Sequence, residues 1–420
     1  MVLFKKGEWK LFWPFYMALF IGISIPGIQV VLIPFFLLKG FTLTQVGIGM
    51  GLMSLFTILA EVPTGAVADI FGKRVSIQVH WILHTIVSLL FVFVTSPWQM
   101  YVLFAIFGIS GTFASGAFEA LPYEICKKEK RKELINEFYS KISFVREIAH
   151  FISYFATAGV LLLLGSEKIY TFFGIDFKGI DFLWPIGAIG FFAAFLIFFN
   201  VKEDVKPRKI NLKNDFIETY KLSVEGIKYA KNHPVINKLF FASFFLTISY
   251  IFFSETVYQP FLLNIGFNAE KIALIVAFAS IVGAIFSLIP KTLEKKFKTE
   301  KHFIEFTIIF QLALIVGLFF FNKIFAFSVL FFFIFYNVHR SLREPLFQPF
   351  KQLFMKDNVR ATVGSVDSLL SNVASVIFFP VAGILLDNIG VINTTISASI
   401  PLVIGLVILY TIKMKERVAH

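Results

Sequence analysis

Twelve apolar stretches, each long enough to cross a bilayer, leave this chain very few folds. A helix rises about 1.5 Å per residue and a hydrocarbon core is about 30 Å thick, so roughly 20 apolar residues make one crossing. Such stretches lie at 11–38, 44–65, 75–95, 98–123, 138–164 and 182–201, and again at 235–263, 269–290, 302–321, 324–350, 360–386 and 391–412. Hydrophobic residues make up 57% of the chain and charged ones 16%, whereas soluble domains are about half apolar and about a quarter charged. Lipid offers a backbone no hydrogen bonds, so helices must supply their own. The expected fold is therefore an all-α polytopic membrane protein: one six-helix bundle over 1–201, a polar linker over 202–234, and a second six-helix bundle over 235–420.

Charge placement sets the expected orientation. Of the 39 Lys and Arg residues, only Lys39, Lys168, Lys178, Lys271 and Lys323 fall on the side opposite the N-terminus, and Arg146, Arg340 and Arg343 fall inside spans. Both termini and the linker are thus expected in the cytoplasm, with the chain in the cell membrane. The apolar run that follows Lys5 and Lys6 continues to Leu38; it is too long for a signal peptide and reads as the first span. The net charge of +12 is scattered over short loops, which argues against a nucleic-acid partner. Cys126 is the only cysteine, so no disulfide framework is expected. No Gly-x4-Gly-Lys-Ser/Thr loop and no catalytic cluster is present; neither ATP-driven pumping nor an enzyme is indicated, and no cofactor or metal is expected. His80 and His84 share one face of span 3, but two ligands alone rarely hold a metal, so packing or interhelical hydrogen bonding is expected. In the linker, Phe216, Tyr220, Val224 and Ile227 with Lys213, Lys221 and Lys228 have the spacing of a basic surface helix.

The halves read as a parallel duplication. Pro34-Phe35-Phe36-Leu37-Leu38-Lys39-Gly40-Phe41 returns as Pro260-Phe261-Leu262-Leu263-Asn264-Ile265-Gly266-Phe267, an offset of 226 at both Pro and Gly. Glu119 and Glu344 are 225 apart, and Pro63 and Pro290 are 227 apart.

The loop between spans 2 and 3 reads Glu61-Val62-Pro63-Thr64-Gly65-Ala66-Val67-Ala68-Asp69-Ile70-Phe71-Gly72-Lys73-Arg74. Its Gly-x3-Asp-x2-Gly-Lys-Arg core resembles the signature loop of the major facilitator superfamily, at the right place in a twelve-span, six-plus-six plan. The preceding Glu61-Val62-Pro63-Thr64-Gly65 resembles a variant common among bacterial members, and Arg360-Ala361-Thr362 and Pro380-x2-Gly383-x3-Asp387-x2-Gly390 resemble the same subgroup. The resemblance implies that Glu61, Gly65, Asp69, Gly72, Lys73 and Arg74 form a cytoplasmic gate. On physical grounds, Gly65 could let helices approach closely and Gly72 could permit a reversal. Asp69 could accept from Lys73, Arg74 or a facing helix start. Span 5 lacks the Gly-Pro common in drug antiporters of this superfamily.

Ionisable groups inside spans cost about 2.5–3.5 kcal/mol each at the bilayer centre, so each needs a partner or a watery cavity. Glu119 in span 4 and Arg146 in span 5 lie at similar depth and are expected to pair. Arg340, Arg343 and Glu344 in span 10 face Asp367 in span 11, and one of the arginines is expected to pair with it. Glu255 in span 7, with Tyr258 one turn on, sits opposite Gln29 of span 1 in the repeat. The resemblance implies that helices 1, 4, 7 and 10 line a central cavity. Gln29, Glu255 and Tyr258 are then candidates for solute binding or proton coupling. The expected function is secondary transport of a small solute by alternating access, by a monomer, with protons as a possible coupling ion. The 57 Phe residues tilt this slightly toward amphiphile efflux; uptake of a polar nutrient, or a non-transporting sensor or enzyme on the same scaffold, are the alternatives.

Overall fold

The computed structural model describes residues 4–203, 226–288, 297, 299–355 and 360–412. Among them, eleven helical stretches are long and apolar enough to cross a membrane. The last, Val363–Tyr410, has 48 residues, about twice what one crossing needs. It breaks at Gly390, whose φ of 77° and ψ of 168° are not helical. Twelve crossings result. They are span 1 (Glu8–Leu38), span 2 (Leu43–Phe71), span 3 (Lys73–Phe91), span 4 (Pro97–Lys128), span 5 (Lys132–Leu164) and span 6 (Gly179–Asn200). Span 7 (Pro234–Asn264), span 8 (Ala269–Phe286), span 9 (Glu300–Phe321) and span 10 (Phe325–Gln352) follow, then span 11 (360–389) and span 12 (391–410). The linker positions Phe216, Tyr220 and Val224 lie outside the described residues, as does Pro290.

Among the described residues, one element is not helical. Strands β1 (Ile169–Phe172) and β2 (Ile175–Lys178) form an antiparallel hairpin between spans 5 and 6, where the sequence reading left a loop. Ile, Tyr, Thr and Phe favour a pleated strand, and the run is too short to cross a membrane.

The chain separates into two compact units. One comprises 1–39, 52–216 and 269–277; the other comprises 40–51, 217–268 and 278–420. Each unit thus takes the first turns of one span from the other half of the sequence, which the expected division at 201 and 235 did not foresee. In the first unit, Phe12, Phe15, Phe138 and Phe198 pack edge-on and tilted at centroid distances of 4.7–6.2 Å. The fully buried Glu8 anchors the chain start: its carboxylate accepts from Lys141 Nζ at 2.6 Å, Tyr16 Oη at 3.0 Å and the Lys5 amide at 2.8 Å. A single buried carboxylate with three donors has its charge dispersed enough to survive burial.

Helix starts are closed by acids reaching in from other spans. Glu203 accepts from the amides of Lys73 and Arg74 at 2.8 and 2.7 Å, below Gly72, whose φ of 95° only glycine adopts without strain. In the second unit, Asp387 accepts from the amides of Leu43 and Thr44 and from Thr44 Oγ1, at 3.3, 2.8 and 2.6 Å. Such caps satisfy orphan amides and oppose the helix dipole.

Glycines set the closest helix contacts, although Gly65 is not among them: a Cβ there meets nothing within 4 Å. The close approach lies elsewhere. A Cβ at Gly108 would stand 2.2 Å from the Met53 carbonyl oxygen, bringing spans 4 and 2 together. One at Gly383 would stand 2.4 Å from the Leu43 carbonyl oxygen, between spans 11 and 2. Gly108→Ala should therefore lower the thermal midpoint in detergent, by about 1–3 kcal/mol of overpacking. Gly111→Ala, with open space around it, should leave the midpoint unchanged or raise it. Equal effects would refute the packing argument.

Candidate functional site

Among the described residues, spans 1, 4 and 7 are interrupted and span 10 changes its winding; span 12 also breaks, at Ala398 ahead of Pro401. Span 1 unwinds between Ser24 and Ile28. There Gly27 donates its amide to Thr157 Oγ1 at 3.1 Å, Thr157 Oγ1 donates to the Gly27 carbonyl at 3.2 Å, and Ser153 Oγ donates to the Ile25 carbonyl at 3.0 Å. Two hydroxyls of span 5 thereby replace the lost helical bonds. Span 7 breaks at Phe252–Ser254, 226 residues later in the repeat, and Ser254 Oγ closes onto the Ile251 carbonyl at 2.9 Å. Span 4 breaks at Ser115–Gly116, where Gly116 takes a φ of 64°. Span 10 stays wound but widens to a π-helix over Val338–Arg343. Such segments often mark functional sites.

The sequence candidates fall on these interruptions. Gln29 lies in the 3-10 turn Ile28–Val31 that follows the break in span 1, Glu255 begins Glu255–Asn264, and Glu119 stands in the first turn of Ala117–Lys128. Arg340 and Arg343 lie within the π segment, and Glu344 opens the helix after it. Glu119 and Glu255 thus stand at fresh helix starts, where the exposed amides favour negative charge. Gln29 and Glu119 are exposed and Glu255 is half-buried.

Within the second unit the π segment carries a dense polar cluster. Arg343 is 1% exposed; it donates to Gln311 Oε1 of span 9 at 2.5 Å and contacts His339 Nδ1. His339 stacks on Tyr250 of span 7, 4.6 Å between centroids. Arg340 donates to Tyr336 Oη at 3.2 Å, and the Tyr336 ring meets the Tyr258 ring at 5.3 Å. Glu255, Arg340, Glu344 and Tyr336 all act electrostatically on the Tyr250 hydroxyl. The neighbouring span 8 is held by buried Asn337, which donates to the Ala279 carbonyl at 3.1 Å.

Two expected pairings take a different form. Glu119 and Arg146 are not joined: both are exposed, and the Glu119 carbonyl accepts from Tyr139 Oη at 2.7 Å. The break at Gly116 ends the continuous helix that equal depth assumed. Asp367 does not pair with Arg343, which is committed to Gln311. It meets Lys351 Nζ at 2.5 Å, with Ser243 Oγ 3.3 Å from the same ammonium. Span 10 continues through Pro345 and Pro349 to Gln352, which carries Lys351 inward to 2% exposure. A cavity of about 270 Å³ borders the pair, lined also by Gln348, Met355 and Ser368. In the signature loop, Lys73 Nζ reaches Glu124 of span 4 at 2.9 Å. Asp69 and Glu61 are exposed near the end of span 2. His80 and His84 direct Nδ1 to the carbonyl and the hydroxyl of Ser110, at 2.9 and 2.6 Å.

The sequence reading missed Gln311, Lys351 and Lys141. A signal was available for one of them. Lys141 and Asp367 occupy equivalent positions, 226 apart, with opposite charge, and each enters a buried ion pair. Gln311 was a lone amide in an apolar run.

The profile of the Major Facilitator Superfamily matches residues 12–378. The chain belongs to that superfamily. It is a multi-pass membrane transporter of a small solute, and its family is one of carriers, not enzymes. It is 20% identical over 378 residues to the Bacillus subtilis (strain 168) "uncharacterized MFS-type transporter YxaM", covering 90% of this chain and 89% of that protein. A mutant of the nucleoside transporter NupG superimposes with a TM-score of 0.75 at 13% identity, over 95% of this chain and 98% of that one. A bacterial homolog of the human lysosomal transporter Spinster, inward-facing and unoccupied, gives 0.71 at 14% identity over 94% of each. The D-xylose–proton symporter gives 0.66 at 12%, over 97% and 96%. These likenesses show the fold.

Two sets of variants test the polar cluster of this transporter. Gln311→Leu leaves a buried guanidinium short of an acceptor and should cost about 1–3 kcal/mol or more; Gln311→Glu should be tolerated. Lys351→Met alone should cost about 3–5 kcal/mol by stranding Asp367, while Lys351→Met with Asp367→Asn should recover most of that. Melting midpoints of the purified variants decide both, and additive losses in the double variant would show that the pair is not coupled.

Proposed function

We propose that this transporter is a secondary carrier for a small polar, hydroxylated solute, driven by protons loaded on Glu255. Its bundles 1–201 and 235–420 rock about a central site, and Glu61, Gly65, Asp69, Gly72, Lys73 and Arg74 form the inner gate. One observation carries the reading: spans 1, 4 and 7 break and span 10 widens at the places where Gln29, Glu119, Glu255 and Arg340 stand. In transporters, non-helical backbone at membrane depth belongs where it lines a cavity, and helix ends there meet substrate and coupling ions.

The solute class follows from the polar cluster. The Phe-rich composition favours amphiphiles only if rings line the path, and the buried rings of the first unit are spent on one another. Around the π segment stand Tyr250, Tyr258, Tyr336, Arg340 and Glu255 instead, a set suited to hydroxyl and carbonyl groups. Two fold neighbours named for nucleosides and D-xylose fit a carrier of such solutes. Glu255 suits proton loading because it is half-buried in span 7 and, like Arg340, acts on the surroundings of the Tyr250 hydroxyl.

Proteoliposomes with an imposed acid gradient and a panel of radiolabelled nucleosides and pentoses test this reading. Wild type should accumulate at least one of them. Glu255→Gln should lose gradient-driven accumulation yet keep solute-for-solute exchange. No flux of any panel member would overturn the solute class, and full accumulation by Glu255→Gln would overturn the proton site. We also place both termini and the linker in the cytoplasm of a cell-membrane monomer; an active alkaline phosphatase fusion at either end would refute that topology.

A further inference from the structure

The hairpin β1–β2 has two unlike faces. Tyr170, Phe172, Ile175 and Phe177 share one face, because cross-strand partners are Tyr170↔Phe177 and Phe172↔Ile175. Ile169, Thr171, Asp176 and Lys178 share the other, on which Thr171 Oγ1 donates to Asp176 at 2.6 Å and only Ile169, at its base, is apolar. The aromatic face gathers around Phe182, whose ring is 5.5–6.4 Å from those of Tyr170, Phe172 and Phe177.

The turn is a two-residue one, Phe173–Gly174, with φ of 53° and 78°. Such a turn favours Asn or Asp at its first position, since a bulky side chain at positive φ is strained. Here a phenylalanine takes the strain and is fully exposed as well. The exposed ring is unfavourable in water, and an apolar environment outside the chain relieves it.

That environment is identified by what the hairpin adjoins. Its base is tied to span ends: Tyr170 Oη donates to the Leu164 carbonyl at 2.8 Å, and the Gly179 amide to the Lys168 carbonyl at 2.9 Å. Phe177 lies 6.2 Å from Phe93 at the end of span 3. Phe93 is the last of an exposed apolar row, Ile86, Leu89, Leu90 and Phe93, spaced along one helix face. In a membrane-spanning helix, such a row faces lipid. The aromatic face of the hairpin thus continues a lipid-facing surface at the level where spans end and aromatic residues gather in membrane proteins.

We propose that the 169–178 hairpin is a membrane-interface anchor: its aromatic face and Phe173 tip lie in the headgroup–acyl boundary of the adjacent leaflet, and its Thr171–Asp176 face lies toward water. The anchor fixes the outer ends of spans 5 and 6 against the bilayer.

Spin-label accessibility decides the matter. In a Cys126→Ala background, nitroxide labels at Phe173→Cys, Asp176→Cys and Phe93→Cys are compared in the full-length protein, reconstituted in phosphatidylcholine–phosphatidylglycerol vesicles. The ratio of oxygen to nickel-chelate collision should be severalfold higher at 173 than at 176, and close to that at 93. A ratio at 173 equal to that at 176 places the tip in water and overturns the proposal. Shielding of 173 from both relaxants places it against protein, a second copy or another partner, and overturns it equally. Should Phe173→Cys fail to fold, Ile175→Cys on the same face gives the same comparison.

Discussion

A bilayer supplies no water to an orphan amide or an unpaired charge, and the whole structure answers to that fact. A lone polar group left in hydrocarbon costs several kcal/mol. The chain meets the demand with side chains from neighbouring spans. Thr157 and Ser153 complete the unwound part of span 1, Glu203 and Asp387 complete helix starts, and Lys141 completes Glu8. Remove these partners and the helices would still be apolar enough to insert, but the breaks could not persist. The interruptions are therefore features of packing between spans, which is why they can differ in kind: two unwound stretches, one glycine turn and one π segment.

The duplication is kept in geometry more than in residue identity. The breaks in spans 1 and 7 recur at the repeat offset, although Pro26-Gly27 stands in one and Phe252-Phe253 in the other. Arg74 at the start of span 3 donates to the Val201 carbonyl past span 6, and Lys301 at the start of span 9 donates to the Ile412 carbonyl past span 12. In both places a cation meets the negative end of a helix. Lys141 and Asp367 share a position and exchange sign, and each found a partner of the other charge, Glu8 and Lys351. What the position demands is a buried ion pair, and either sign satisfies it.

This explains what could be read from residues alone. Span number came from length and hydropathy, quantities that the bilayer imposes one span at a time. The candidates Gln29, Glu119, Glu255 and Arg340 stood out because a polar group in an apolar run is rare and expensive. Partners were less legible, since pairing depends on where a backbone bends. Glu119 was matched to Arg146 on the premise of straight helices, and Gly116 removes that premise. Arg340 or Arg343 was matched to Asp367 on charge, yet Asp367 meets Lys351 and a neutral amide in span 9 holds Arg343. Lys351 fell just outside the apolar stretch that ended at 350; the helix runs two residues further, to Gln352, and buries it. The hairpin was hidden by its brevity, four residues a strand.

A carrier must hold its alternative states within reach of solute binding energy, and the contacts at the start of spans 2 and 8 have the right size. Thr44 and Glu270 are equivalent in the repeat. Thr44 is held by Asp387 of span 11, and Glu270 accepts the Ser166 amide past span 5 at 2.9 Å. A capping contact is worth about 0.5–2 kcal/mol, so two of them amount to about 1–4 kcal/mol. Moving a two-state equilibrium from 1:99 to 99:1 takes about 5.5 kcal/mol of differential binding. If rocking separates these contacts, their loss is a fraction that a bound solute and a proton can supply together. Buried ion pairs in their place would cost about 3–5 kcal/mol each to break and would hold one state closed. The stronger pairs of the molecule, Glu8 with Lys141 and Lys351 with Asp367, each join two spans of the same sequence half, where rocking of one half against the other need not break them.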